Sequence, residues 1–257
     1  MLLEAKTLLS KLETSLAADR RALESSPGLA LVWVGEDKQT AAFIQKKKLL
    51  AKKLDCQFFL HHFNSGNQRQ LEAVIDGLSH RKDIHGIVLQ LPLPKSCDTE
   101  ALIQKIAPLK DVDNLRGDSP YASPTPNGIM TLLSSNNIAI KNLKTIILGS
   151  GKLVGKPLAD EFRKNGWKFD QIDRDAAAQV NFIRDHDLLI AATGVKNLVT
   201  PEMVHQEMIV VDGSGVDVEV AKFEPLVKLI TPTKGAIGPL TVHCLFQNLL
   251  KAAQKLV

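Results

Sequence analysis

The stretch TIILGSGKLVGKP (145–157) reads as a buried strand, a glycine-rich turn and the start of a helix. Gly149, Ser150 and Gly151 form a turn in which two residues lack a Cβ, so the backbone can bend sharply and a phosphate can come close. Val154 and Gly155 open the helix, whose free N–H groups and positive dipole end suit an anion. The spacing is GxGxxxG, one residue longer than the usual dinucleotide fingerprint. An ordinary strand-to-helix turn therefore stands beside the phosphate cradle as an alternative. Downstream, WKFDQI (167–172), DLLIAATG (187–194) and MIVVDGSG (208–215) are short apolar runs, the pattern of a parallel sheet covered on both faces. DGSG (212–215), which has the composition of a mobile loop, lies at the end of the last of these runs, where open α/β sheets bind ligands.

Upstream the same alternation recurs. GLALVWVG (28–35), QFFLHHF (57–63) and GIVLQLPLP (86–94) read as strands, with helical patterns over 40–54, 67–79 and 99–111. The predicted fold is α/β with two domains. Each is a parallel-type sheet with flanking helices, the C-terminal one Rossmann-like. NLRGDSPYASPTPN (114–127), rich in proline and serine, marks the boundary. The first domain is placed at 1–118 and the second at 119–238, and a final helix follows.

Composition narrows the function class. The 257 residues are 44% apolar and 23% charged, which is globular rather than disordered. A net charge of +4 is too mild to imply nucleic acid and suits a small anionic ligand. Cys56, Cys97 and Cys244 form no CxxC pair and the seven histidines no ligand spacing, so neither a disulfide framework nor a metal site is expected. The N-terminal segment carries charges throughout, and no run reaches the length of a membrane span. A cytoplasmic protein without membrane or nucleic-acid partners is expected.

Three polar residues interrupt apolar patterns. On a helical wheel over 40–54, Thr40, Phe43, Lys47, Leu50 and Leu54 share one stripe, so Lys47 is the lysine of its cluster that lies on the apolar face. Such a lysine either snorkels to water or is desolvated, with a lowered pKa suited to proton transfer. Gln90 and Asp113 fall at the ends of elements in the first domain, as capping or turn residues or as ligand contacts. Asp173 and Arg174 follow the second strand of the glycine-loop unit. An acidic residue there favours the ribose hydroxyls of NAD and an arginine the 2′-phosphate of NADP, so the pair gives a split answer.

Taken in order, TAAFIQKKK (40–48), HGIVLQLPLP (85–94), KDVDN (110–114), TPNGIMTLL (125–133), ILGSGKLVGKP (147–157), DLLIAATG (187–194) and ITPTKGAIGPLT (230–241) resemble the bifunctional methylenetetrahydrofolate dehydrogenase/cyclohydrolase family. The resemblance implies an active-site cleft between the two domains and a final helix, 239–257, that returns to complete the first. It implies oxidation of 5,10-methylenetetrahydrofolate with a nicotinamide cofactor, NADP favoured and NAD possible, followed by hydrolysis to 10-formyltetrahydrofolate. It implies catalytic roles for Lys47, Gln90 and Asp113, and substrate contacts from Thr40, Phe43, Leu91, Pro92, Gly238 and Pro239. Cofactor contacts are implied for Gly149, Ser150, Gly151, Val154, Gly155, Asp173, Arg174, Thr193, Gly194, Asp212 and Thr241. The implied partners are tetrahydrofolate derivatives and a second copy of the chain in a homodimer.

The sequence also departs from the family pattern. Phe43 stands at a tyrosine position, Ser150 and Gly151 replace an arginine and a serine, and Asp173-Arg174 replaces a histidine-serine pair. Lys234 and Ala236 alter the final glycine-rich signature. Two alternatives follow: a dehydrogenase without the hydrolytic step, and a protein that binds folate or nucleotide without full activity.

Overall fold

The computed structural model describes residues 1–173 and 179–256. Two compact units emerge: residues 12–124 with 242–257, and residues 1–11 with 125–241.

The first unit is built on three parallel strands, β1 (Gly28–Val34), β2 (Gln57–Phe63) and β3 (Gly86–Leu89), in the order β2-β1-β3. Every residue of β1 is buried, as its unbroken apolar run requires. Alternation divides that run between two cores. Leu29, Leu31 and Trp33 pack with apolar side chains of α1 (Lys6–Arg21), α2 (Lys38–Lys53) and the C-terminal helix, whereas Ala30, Val32 and Val34 pack with those of α3 (Gln68–His80) and α4 (Thr99–Gln104). The run expected to extend to residue 94 leaves the ladder after Leu89, because Pro92 and Pro94 cannot donate to it.

The second unit carries α5 (Pro124–Ser135), then β4 (Thr145–Leu148), α6 (Gly155–Lys164), β5 (Phe169–Ile172), α7 (Val180–Arg184), β6 (Leu188–Ala191), β7 (Ile209–Asp212), α8 (Val220–Phe223), β8 (Leu229–Ile230) and the start of α9 (Ile237–Lys255). Its five parallel strands run in the order β5-β4-β6-β7-β8. The parallel, Rossmann-like sheet expected from the sequence is present. β8, two residues long, was not legible as a strand. Residues 1–11, assigned from sequence to the first domain, cluster with the second. Leu3 donates its N–H to the carbonyl of Ile230 at 2.7 Å, and Ile230 donates to that of Met1 at 3.1 Å. Among the described residues no helix is long and apolar enough to cross a membrane.

Candidate active site

Helix α2 brings the first functional side chain into place. Asp37 caps its N-terminus, accepting the N–H of Thr40 at 2.6 Å, and Ile44, Lys47, Leu50 and Ala51 form its buried face. Lys47 is 3% exposed, so it does not snorkel. Its Nζ donates to Oε1 of Gln90 at 2.9 Å and lies 4.8 Å from the centre of the Phe43 ring, one helical turn earlier.

Gln90 reaches this point because of strand parity. Val88 belongs to the core on the α2 side and Ile87 and Leu89 to the opposite one, so Gln90 continues the α2 face. Its N–H still bonds the carbonyl of Val32 at 2.9 Å, which holds it in register beyond the strand end, and its Nε2 donates to the carbonyl of Leu91 at 3.0 Å.

Asp113 is presented by a braced turn. Asp111, fully buried, accepts the N–H groups of Leu115 at 3.1 Å and Arg116 at 2.9 Å. Nδ2 of Asn248 on α9 donates to the carbonyls of Val112 and Ala122, each at 2.8 Å. Neither residue was singled out from sequence. Their signals were a second aspartate in KDVD and a lone amide on the apolar face of the last helix. Burial pushes the Asp111 carboxyl up to about 6.

The electrostatics of the group follow from desolvation. Burial holds the Lys47 ammonium below the ordinary lysine range, and the Asp113 carboxylate partly opposes this. Asp113 is itself raised by burial, with Lys47 as the opposing influence. The result is a lysine able to exchange a proton, beside a carboxylate and a fixed amide.

In the other unit, Gly149, Ser150, Gly151, Asp173, Ala192 and Thr193 line a cavity of about 300 Å³. Gly149 adopts φ 101°, and a Cβ there would lie 2.7 Å from the Ala192 carbonyl oxygen, so the turn needs glycine. At Gly151 a Cβ would meet nothing within 4 Å, which leaves open space over the backbone. Val154 caps α6 and Gly155 is its first residue. This cradle fits the phosphate-bearing part of a dinucleotide. Asp173 directly follows β5 and accepts the hydroxyl of Ser150 at 3.1 Å. Arg174 lies outside the described residues.

The remaining predicted positions are more dispersed. Thr40 lies in the first turn of α2, Leu91 packs against the core and Pro92 is exposed. Gly238 and Pro239 begin α9 within the second unit. Thr241 donates to Oγ1 of Thr125 at 3.1 Å or to the carbonyl of Ile237 at 2.9 Å. Gly194 has φ 70°. The carboxylate of Asp212 serves its own loop, accepting N–H groups from Ser214, Gly215 and Val218. DGSG, expected to be mobile, is thereby fastened. Among the described residues no group of three or more His, Cys, Asp or Glu is placed to hold a metal ion.

Similarity to known proteins covers nearly the whole chain. Residues 3–113 match the tetrahydrofolate dehydrogenase/cyclohydrolase catalytic domain, and residues 123–257 the NAD(P)-binding domain of the same name. The bifunctional protein FolD of Methanosarcina barkeri is 31% identical, over 98% of this chain and 96% of the relative. The FolD structure from Campylobacter jejuni, described as a bifunctional methylenetetrahydrofolate dehydrogenase/cyclohydrolase, superposes with a TM-score of 0.89 at 27% identity, covering 100% of this chain and 99% of the other. A Trypanosoma brucei enzyme solved with NADP and an inhibitor gives a TM-score of 0.91 at 23% identity, over 99% and 97% of the two chains, which speaks for the fold.

Proposed function

Because the chain belongs to the tetrahydrofolate dehydrogenase/cyclohydrolase family, we propose that it oxidises 5,10-methylenetetrahydrofolate to the 5,10-methenyl cation and hydrolyses that cation to 10-formyltetrahydrofolate. The observation that carries the reading is the buried Lys47 ammonium held on Gln90 beside Asp113.

The nicotinamide of NADP, or of NAD, supplies the hydride acceptor. The chain's own residues orient the folate and handle protons. Asp113 accepts hydrogen bonds from the pterin amino and ring N–H groups. Gln90 fixes the Lys47 amine so that it faces the folate carbon rather than solvent. In the hydrolytic step water adds to the methenyl carbon, forming the C–O bond, and the neutral Lys47 amine takes a proton from it. The carbon–N5 bond then breaks, and the Lys47 ammonium returns a proton to N5. The formyl group stays on N10, and the second water proton is released to solvent. The lowered pKa of Lys47 suits both halves of this exchange. The same reading takes the working form to be a cytoplasmic homodimer, tested by whether the mass in solution is twice 28.1 kDa.

The direct test incubates purified protein with 5,10-methylenetetrahydrofolate and NADP or NAD in parallel. Reduced nicotinamide and 10-formyltetrahydrofolate are expected. No turnover with either nucleotide overturns the proposal.

Two variants refine it. Asp173 places a negative charge on the cavity wall, so Asp173→Asn is expected to raise kcat/KM for NADP relative to NAD by about 10-fold, the value of ~1.4 kcal/mol of relieved repulsion. An unchanged ratio would show that the carboxylate does not face the ribose. Phe43→Tyr sets a hydroxyl near the Lys47 ammonium and is expected to speed the hydrolytic step about tenfold, the low end of a charge-assisted hydrogen bond. A flat response would mean that this protein handles protons by another route.

A further inference from the structure

β6 ends at Ala191, and the segment that follows becomes one wall of the cofactor cavity. Ala192 still donates its N–H to the Leu148 carbonyl at 2.8 Å. Thr193 leaves the ladder, and both of its donors go to one atom. Its N–H reaches Oδ2 of Asp217 at 2.7 Å and its hydroxyl reaches the same oxygen at 2.9 Å. The hydroxyl in turn accepts the N–H of Val195 at 3.1 Å, which continues the turn through Gly194. Asp217 is fully buried. Its other oxygen accepts the Ser214 hydroxyl at 2.6 Å, and its carbonyl accepts the N–H of Val199 at 3.1 Å. One carboxylate thus ties the end of β6, the loop after β7 and the segment near 199 together at the carboxyl edge of the sheet, where such folds bind ligands.

A buried carboxylate is costly and is kept where several donors converge on it. It also stands near a site suited to a phosphate-bearing, negatively charged ligand, so its charge does not itself attract that ligand. Its contribution lies in the geometry it imposes on Thr193.

We propose that Asp217 is a positioning residue for the nucleotide, setting the Ala192–Thr193 wall of the cofactor cavity without touching the ligand. The inference rests on the cavity being the NAD(P) site. It separates two substitutions. Asp217→Ala removes both anchors of Thr193. Asp217→Asn keeps an acceptor for Thr193 and turns its amide N–H toward the Ser214 oxygen, whose hydroxyl can then turn to Oδ1 of Asp212, 2.9 Å away.

The experiment measures the dissociation constant of NADPH and NADH by calorimetry, alongside Tm and the KM for methylenetetrahydrofolate. Asp217→Ala is expected to weaken the better-bound nucleotide at least 10-fold with an unchanged folate KM, and Asp217→Asn to stay within threefold of wild type. Thr193→Val, which loses only the hydroxyl, is expected to weaken binding less than Asp217→Ala and to add nothing in combination with it. Wild-type affinity in Asp217→Ala, or equal losses for nucleotide and folate, overturns the positioning role. If Asp217→Ala does not fold, wild-type affinity in Thr193→Val overturns it instead. A wild-type protein that binds neither nucleotide overturns the functional reading and this inference with it. One that binds nucleotide with Asp217→Ala unaffected overturns the inference alone.

Discussion

Lys47→Met should fold and lose the hydrolytic step by a factor of about 10²–10⁴, the usual range for a positioned proton-transfer group. Its Tm should stay near wild type, because two changes oppose each other. A linear apolar side chain of similar volume removes the cost of burying an ammonium, but it leaves Oε1 of Gln90 without its donor and the desolvated Asp113 without the opposing charge, so that Asp113 is driven toward its protonated form. In catalysis the desolvation of Lys47 brings the amine toward a proton-exchanging state. The sign of the pH dependence follows: the neutral amine is the base, so the wild-type rate of methenyl hydrolysis should rise with pH through the lowered Lys47 pKa and then level off. Loss of the methenyl absorbance, followed across pH for both proteins, checks this. Unchanged 10-formyltetrahydrofolate production in Lys47→Met would remove the amine from the mechanism.

The second large effect concerns the glycine turn, where two glycines do different work. A Cβ on Gly155 would stand 2.2 Å from the Gly149 carbonyl oxygen and 2.7 Å from its carbon, both backbone atoms with no freedom to yield. Gly155→Ala is therefore expected to cost on the order of 2–4 kcal/mol of stability, because the start of α6 must move off the turn. Nucleotide affinity should fall with it. Gly151→Ala meets no neighbour, so its Tm should match wild type. Its new methyl group projects where a phosphate would approach the backbone, and nucleotide affinity should fall about 10-fold or more through lost close contact. Thermal melting and nucleotide titration of the two variants separate the roles. If Gly151→Ala binds as wild type does, the phosphate does not sit over that residue.

Much of the architecture was legible in advance because its signals are local. Unbroken apolar runs such as GLALVWV need cover on both faces, which only a parallel sheet with helices on either side provides. At Gly155 a Cβ is excluded by Gly149, six residues earlier, and Gly149 itself turns at φ 101°, so a short motif could announce both. Lys47 on an apolar helix face was equally visible as an anomaly of period.

What the sequence left open was the outcome of that anomaly. Snorkelling and desolvation satisfy the same helical wheel. The choice was made by Gln90, 43 residues away, which the pairing of β1 with β3 and the parity of the strand bring to the amine. Asn248, 136 residues from the carbonyl it holds, and Asp217, 24 residues from Thr193, were likewise hidden. Residues 1–11 join the second unit through backbone bonds to a two-residue strand too short for any periodicity to reveal. Chain-local periodicity and steric exclusion therefore specified which elements form and where the turn must be glycine. The partners of buried polar groups were decided only when distant segments met, because a hydrogen bond depends on separation in space and leaves no mark on spacing along the chain.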